Sequence, residues 1–119
     1  MSLDPVALLK HYHAALNAYD ACKVKAMFAE EAVYVSPGVN GRIAGRDAII
    51  AAFTAYFAEH PGQRAVDDEV CRISADTARS LWRLEAIARS TGQRVNRPGT
   101  ETVRFGGDGL IRHVEVIDA

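Results

Sequence analysis

A chain of 119 residues is long enough to bury most of its apolar surface around one core without disulfides or metals, so one domain over residues 1–119 is expected. With 14 basic residues against 15 acidic ones, a net charge of -1 excludes strong long-range attraction to nucleic acid or to an anionic membrane. Cys22 and Cys71 stand alone without C-x-x-C spacing, and no signal-peptide plan leads the chain, which together point to a reduced, cytoplasmic setting.

In chain order, Asp4 or Ser2 can cap a first helix with Pro5 in its opening turn, running to about Tyr19. At 100° per residue Leu8, Leu9, Ala15, Leu16 and Tyr19 gather around Tyr12, while Lys10 and Asn17 fall on the far side. The apolar stripe is therefore centred on a phenol, and a buried O–H calls for a partner, either structural or a ligand. Asp20 should cap a short second helix in which Val24, Met27 and Phe28 recur at i, i+3 and i+4, continuing to about Glu30.

Residues 32–36, AVYVS, alternate as a strand with Tyr34 and Ser36 on one side, ahead of the turn-rich PGVNGRIAG. From Arg46 a third helix carries Ile49, Ile50, Phe53, Tyr56, Phe57 and His60 on one face until Pro61 and Gly62 stop it. Four extended runs follow, at 65–74, 78–90, about 99–106 and 110–118. In the second, Ser80, Trp82, Leu84 and Ala86 share a face. The longest apolar-rich run, AIIAAFTAYFA, is too short for a bilayer. Helices first and strands afterwards predict an α+β protein with the helices laid against one side of a curved sheet.

Most chemistry-bearing motifs fail on geometry. His11 and His13 lie about 200° apart on a helix and cannot chelate one metal ion together, so no metal is expected. GGDG is flanked by strands rather than opening a helix, which makes it a hairpin turn and not a phosphate cradle. No G-x-S-x-G or H-E-x-x-H occurs, and no cofactor signature. Of Asp67 and Asp68 at most one faces a pocket, and a solvated strand entrance is the expected reading. The arginines at 89, 94, 97 and 104 read as a solvated sheet face.

Polar side chains on apolar faces remain: Tyr12, Tyr34, Ser36, Tyr56, His60 and Glu101. Glu101 alternates with Val103 and Phe105. A carboxyl buried beside a phenol is driven toward its neutral, donating form, whereas one at a strand end simply reaches water.

The segments HYHAALNAYD, MFAEEAVYVSPG, GRDAIIAAFTAYF and TVRFGGDGLIRHVEVID, in that order, resemble the nuclear transport factor 2-like superfamily, especially its ketosteroid-isomerase and polyketide-cyclase (SnoaL-like) branches. The resemblance implies a cystatin-like cone, a strongly bent antiparallel or mixed sheet wrapped around the long first helix and closed by two more, with an apolar pocket inside. It also implies a homodimer packed through the outer sheet surface. Tyr12 takes the position of the oxyanion-hole phenol, Glu101 that of the second, protonated acid, and Val114 and Val116 face the pocket. Ser36, before Pro37, stands where the catalytic aspartate belongs; a neutral hydroxyl has no useful basicity near pH 7, which argues against ketosteroid isomerisation. His60, Asp68 or His113 would have to supply a base.

The candidate site is therefore Tyr12, Glu101 and His60 as catalytic groups, with Tyr34, Ser36, Phe53, Tyr56, Phe57, Trp82, Val103, Val114 and Val116 around a small apolar ligand. The corresponding function is cofactor-independent isomerisation, dehydration or cyclisation of an apolar carbonyl compound. The alternatives are non-catalytic binding of a hydrophobic metabolite and a dimeric interaction module.

Overall fold

A computed structural model describes residues 4–36, 41–59, 63–87 and 90–118. Helix α1 (Pro5–Asn17) and helix α2 (Ala21–Ala26) lead into strands β1 (Phe28–Ser36) and β2 (Gly41–Ala44). Helix α3 (Arg46–Glu59) then precedes β3 (Arg64–Arg72), β4 (Thr77–Ile87), β5 (Arg94–Phe105) and β6 (Ile111–Asp118). The strands form one sheet in the order β2-β1-β6-β5-β4-β3, antiparallel throughout except for the parallel β1–β6 pair. Helix α1 packs against β3, β4 and β5, and α3 against β1 and β2, so the curved open sheet holds the helices on its inner side. Leu9, Tyr12, Phe28, Ile49, Val103 and Ile111 meet there at 2% exposure or less.

Local chemistry sets the helix ends. The Asp4 carboxylate accepts from the Ala7 N–H at 3.1 Å, and Asp20 from the Lys23 N–H at 3.0 Å, each pairing a donor the first turn leaves open. Helix α1 closes as a Schellman motif: the Tyr19 N–H donates to the Leu16 carbonyl and the Asp20 N–H to that of Ala15. Tyr19 takes the left-handed position at φ 56°, where glycine is usual. Its ring is anchored in return, the hydroxyl donating to the Gln63 carbonyl at 2.5 Å while the ring lies 5.2 Å from Phe57.

Three expectations need correction. The second helix stops at Ala26 rather than Glu30, because Phe28 pairs with Ile111 of β6 and the Ile111 N–H donates to the Met27 carbonyl at 2.8 Å. Sheet pairing overrides the helical spacing of Val24, Met27 and Phe28. Part of the turn-rich segment, Gly41–Ala44, forms an edge strand on β1. Finally, β5 begins at Arg94 and contains Pro98, although proline argues for a break. It is tolerated because, among the described residues, Pro98 pairs only with Arg83 of β4, the β6 pairing reaching no further than Gly99↔Asp118.

A bulge in β3 matters most for the interior. Asp67 lies opposite Trp82 and Glu69 opposite Leu81, so Asp68 is the extra residue. The insertion lets Asp67 and Val70 both face inward while Asp68 and Glu69 stay exposed.

Candidate functional site

Four side chains from four elements meet beneath the sheet. His13, on the apolar side of α1, places Nδ1 2.7 Å from Asp67 Oδ1 of β3 and Nε2 against Glu101 Oε1 of β5. Ser80 of β4, opposite Glu101 in the ladder, donates its hydroxyl to the same Asp67 oxygen at 2.5 Å. His13, Ser80 and Glu101 are 5%, 0% and 4% exposed, so these bonds form away from water.

Burial alone would depress the His13 pKa, but the Glu101 charge, the hydrogen bonds to Asp67 and Glu101 and the Asp67 charge outweigh it and hold it at about 10. The ring is thus an imidazolium at neutral pH, donating from both nitrogens. Burial pushes Asp67 upward, yet the His13 hydrogen bond and charge, the Ser80 hydroxyl and the Lys10 charge leave it below the ordinary carboxylate value. Glu101 Oε1 therefore faces the His13 ring; of the two environments the sequence left open, a buried carboxyl beside a phenol or a strand-end one reaching water, its 4% exposure matches burial.

Glu101 and His13 reach the wall of a partly open cavity of about 100 Å³. Tyr34, Ser36, Phe53, Tyr56 and Phe57 line one side of it and Trp82 and Val116 another, all of them candidates from the sequence. Tyr34 stacks edge-on to Phe53 at 5.0 Å and shares a hydrogen bond with Ser36. Burial, followed by the Glu101 charge, drives the Tyr34 phenol well above its usual range.

The other candidates lie elsewhere. Val103 and Val114 are fully buried in the core and not on the cavity wall. Tyr12 is also fully buried, 5.3 Å from the His13 ring and 5.5 Å from that of Phe28, and its hydroxyl has no hydrogen-bond partner among the described residues. Burial first, and then the nearby Glu101 charge, raise its pKa strongly. His60 lies outside the described residues. His113 pairs with Arg104 and Val33 in the sheet, away from the cavity.

His13, Asp67, Ser80 and the cavity-lining Arg97 were missed as site residues. His11 and His13 cannot share a metal ion, but Leu9 at i−4 and Leu16 at i+3 place His13 by itself beside the apolar stripe, which is the signal for its burial. The solvated entrance expected for Asp67 and Asp68 holds for Asp68 alone, because the bulge turns Asp67 inward. Only the cross-strand register reveals that reversal.

A curved open sheet with its helices on the inner side, and a largely apolar cavity between them, places the molecule in the cystatin-like α+β class. More narrowly, the chain belongs to the SnoaL-like domain family, whose match spans residues 9–114. Among similar solved structures is Rv0760c from Mycobacterium tuberculosis in complex with estradiol-17β-hemisuccinate, 20% identical with a TM-score of 0.83, covering 96% of this chain and 93% of that one. The Δ5-3-ketosteroid isomerase from a Mycobacterium species is 17% identical with a TM-score of 0.82 over 97% and 93% of the two chains. SalBIII, an epoxide hydrolase/cyclase-like enzyme of pyran ring formation in the polyether salinomycin, is 16% identical with a TM-score of 0.84 over 95% and 88%. At these identities the likeness is one of fold. No curated protein matches the sequence.

Proposed function

We propose that the protein is a cofactor-independent acid–base catalyst acting on a small, largely apolar carbonyl compound, with Glu101 as the proton-transferring group. The observation that carries this reading is the carboxylate–imidazolium–carboxylate array ending on an apolar cavity wall. Ser36 supplies no base, and in this reading Glu101 does. Its carboxylate removes a proton from the carbon next to the substrate carbonyl, leaving the C–H electron pair in an enolate. The proton then returns at a second carbon in an isomerisation, or passes to a departing hydroxyl in a dehydration. His13 holds the carboxylate in place through both steps, and Asp67 fixes the ring. Tyr34 is the wall phenol suited to donate to the enolate oxygen.

Size separates this substrate from a steroid. A cavity of about 100 Å³ lies below the roughly 300–1,000 Å³ of pockets that enclose drug-sized molecules, and so favours one ring over four. Similar structures include both a steroid complex and a cyclase-like enzyme, which supports a carbonyl or cyclisation chemistry without selecting one. The same reading has the protein acting as a cytoplasmic homodimer joined through the outer sheet face, with Cys22 and Cys71 remaining free thiols at its surface.

The test is solvent deuterium exchange at the α-carbons of a panel of monocyclic ketones and 1,3-diketones. Wild-type protein should accelerate exchange in at least one member, and Glu101→Gln should lower that rate by about 10²–10⁴-fold. Equal rates for the two proteins would remove Glu101 from the chemistry.

A further inference from the structure

The inner face of β5 carries a second charge that the acid–base reading does not use. Arg97, Gly99 and Glu101 alternate on that face, with Leu84, Trp82 and Ser80 of β4 directly opposite. Four residues of strand put Arg97 and Glu101 roughly 13 Å apart at the backbone. Both line the same cavity, one at each end of the row. Between them Gly99 leaves the sheet bare and the Trp82 indole lies across it. A Cβ at position 99 would come within 2.8 Å of the Ile117 carbonyl oxygen and 3.1 Å of Trp82 Cζ2, so any side chain there would push against both the strand β6 backbone and the indole. The row therefore reads as charge, aromatic slab, charge.

The two ends differ in character. At the inner end the one cation of the array, the His13 ring, is already shared between Asp67 and Glu101. The guanidinium at the other end is close enough for its charge to act on the Tyr34 phenol. Its five donors in a planar fork match a carboxylate and can serve a ligand alongside the contact Arg97 already makes. We infer that the cavity selects an apolar oxo-acid, held by its carboxylate at Arg97, spread over Trp82, and pointed with its uncharged carbonyl end at Glu101.

The inner end already pairs its cation with two carboxylates, so a ligand carboxylate is better served at Arg97, which sets both the class of ligand and its direction. The carboxylate preference stands on Arg97 and Trp82; only the assignment of the far end to proton transfer rests on the function proposed for Glu101.

The chain contains a single tryptophan, and it lies on the cavity wall, so its fluorescence reports occupancy directly. The probes are 4-phenylbutanoate and its neutral counterpart 4-phenylbutanamide, titrated into wild type, Arg97→Gln, Arg97→Lys and Glu101→Gln. Wild type should bind the acid at least about tenfold tighter than the amide. Arg97→Gln should reduce the preference to threefold or less and Arg97→Lys should retain part of it, with unchanged thermal unfolding showing that both variants fold. Glu101→Gln should keep the preference, even if it abolishes deuterium exchange. Equal binding of the two probes by wild type, no binding of either at millimolar concentration, or a preference that survives Arg97→Gln would overturn the inference. Failure of the exchange assay with the preference intact would count against the acid–base reading alone.

Discussion

His13 illustrates how one side chain can couple stability to site chemistry. Its folded pKa of about 10 lies above the ordinary 6.5, so protonation of the folded state is favoured over that of the unfolded chain. The resulting stabilisation is complete below about pH 6.5 and is lost as pH rises through about 10. Asp67 has the opposite sign: its pKa is lowered from 3.8, so its contribution is present above that value and disappears as pH falls through the folded one. NMR of the His13 imidazole should accordingly show titration near pH 10, with denaturant midpoints falling over the same alkaline range. A midpoint near 6.5 would mean the clamp between the carboxylates does not form. Tyr12 makes a contrasting case, since its buried hydroxyl has no partner among the described residues. Tyr12→Phe removes an unsatisfied polar atom and keeps the ring, so unfolding free energy should stay level or rise by about 1 kcal/mol. A loss of similar size would reveal that water or a ligand normally pairs the phenol.

At the level of elements, Asn17 joins α1 to the sheet edge. Its side-chain amide donates to the Ala65 carbonyl at 2.9 Å and its oxygen accepts from the Ala65 N–H at 2.8 Å, completing backbone pairing on edge strand β3. Those two bonds hold the β3 segment two residues before Asp67, and with it the distance from Asp67 to His13. Asn17→Ala should cost roughly 1–2 kcal/mol in chemical denaturation. It should also lower the His13 titration midpoint by loosening the Asp67 contact. An unaltered midpoint would show that the bulge positions Asp67 unaided. From sequence Asn17 read only as a residue on the polar side of a helix, because nothing local says that a strand edge will meet it there.

On the scale of the whole molecule, the outer sheet face is where a second copy would pack. Leu81, Thr100 and Ile117 stand side by side on β4, β5 and β6, and Leu81 and Ile117 are 44% and 57% exposed. In the proposed dimer these two exposed aliphatic side chains, flanking Thr100, would be covered by the second copy. Leu81→Lys combined with Ile117→Lys should convert a dimer to monomer in sedimentation equilibrium while leaving the circular dichroism unchanged. A wild-type monomer at high micromolar concentration would rule the dimer out. The described residues contain no helix long and apolar enough to cross a membrane.

The α+β class, the three helices, the GGDG turn and the inward faces of residues such as Phe53 and Trp82 were legible in the sequence. Helix caps, 100° periodicity and strand alternation are local, and residues such as Asp4, Asp20, Phe53 and Trp82 carry them without reference to the rest of the chain. Phe28 and Asp67 were not legible, since each faces inward only through pairing with a strand distant in sequence: β6 for Phe28, and β4 across a one-residue bulge for Asp67. The meeting of His13 with Asp67, 54 positions away, and with Glu101, 88 away, belongs to the same class. Alternation tells which residues share a face, but the register between strands decides which of them touch, and that register is an energy minimum of the whole sheet.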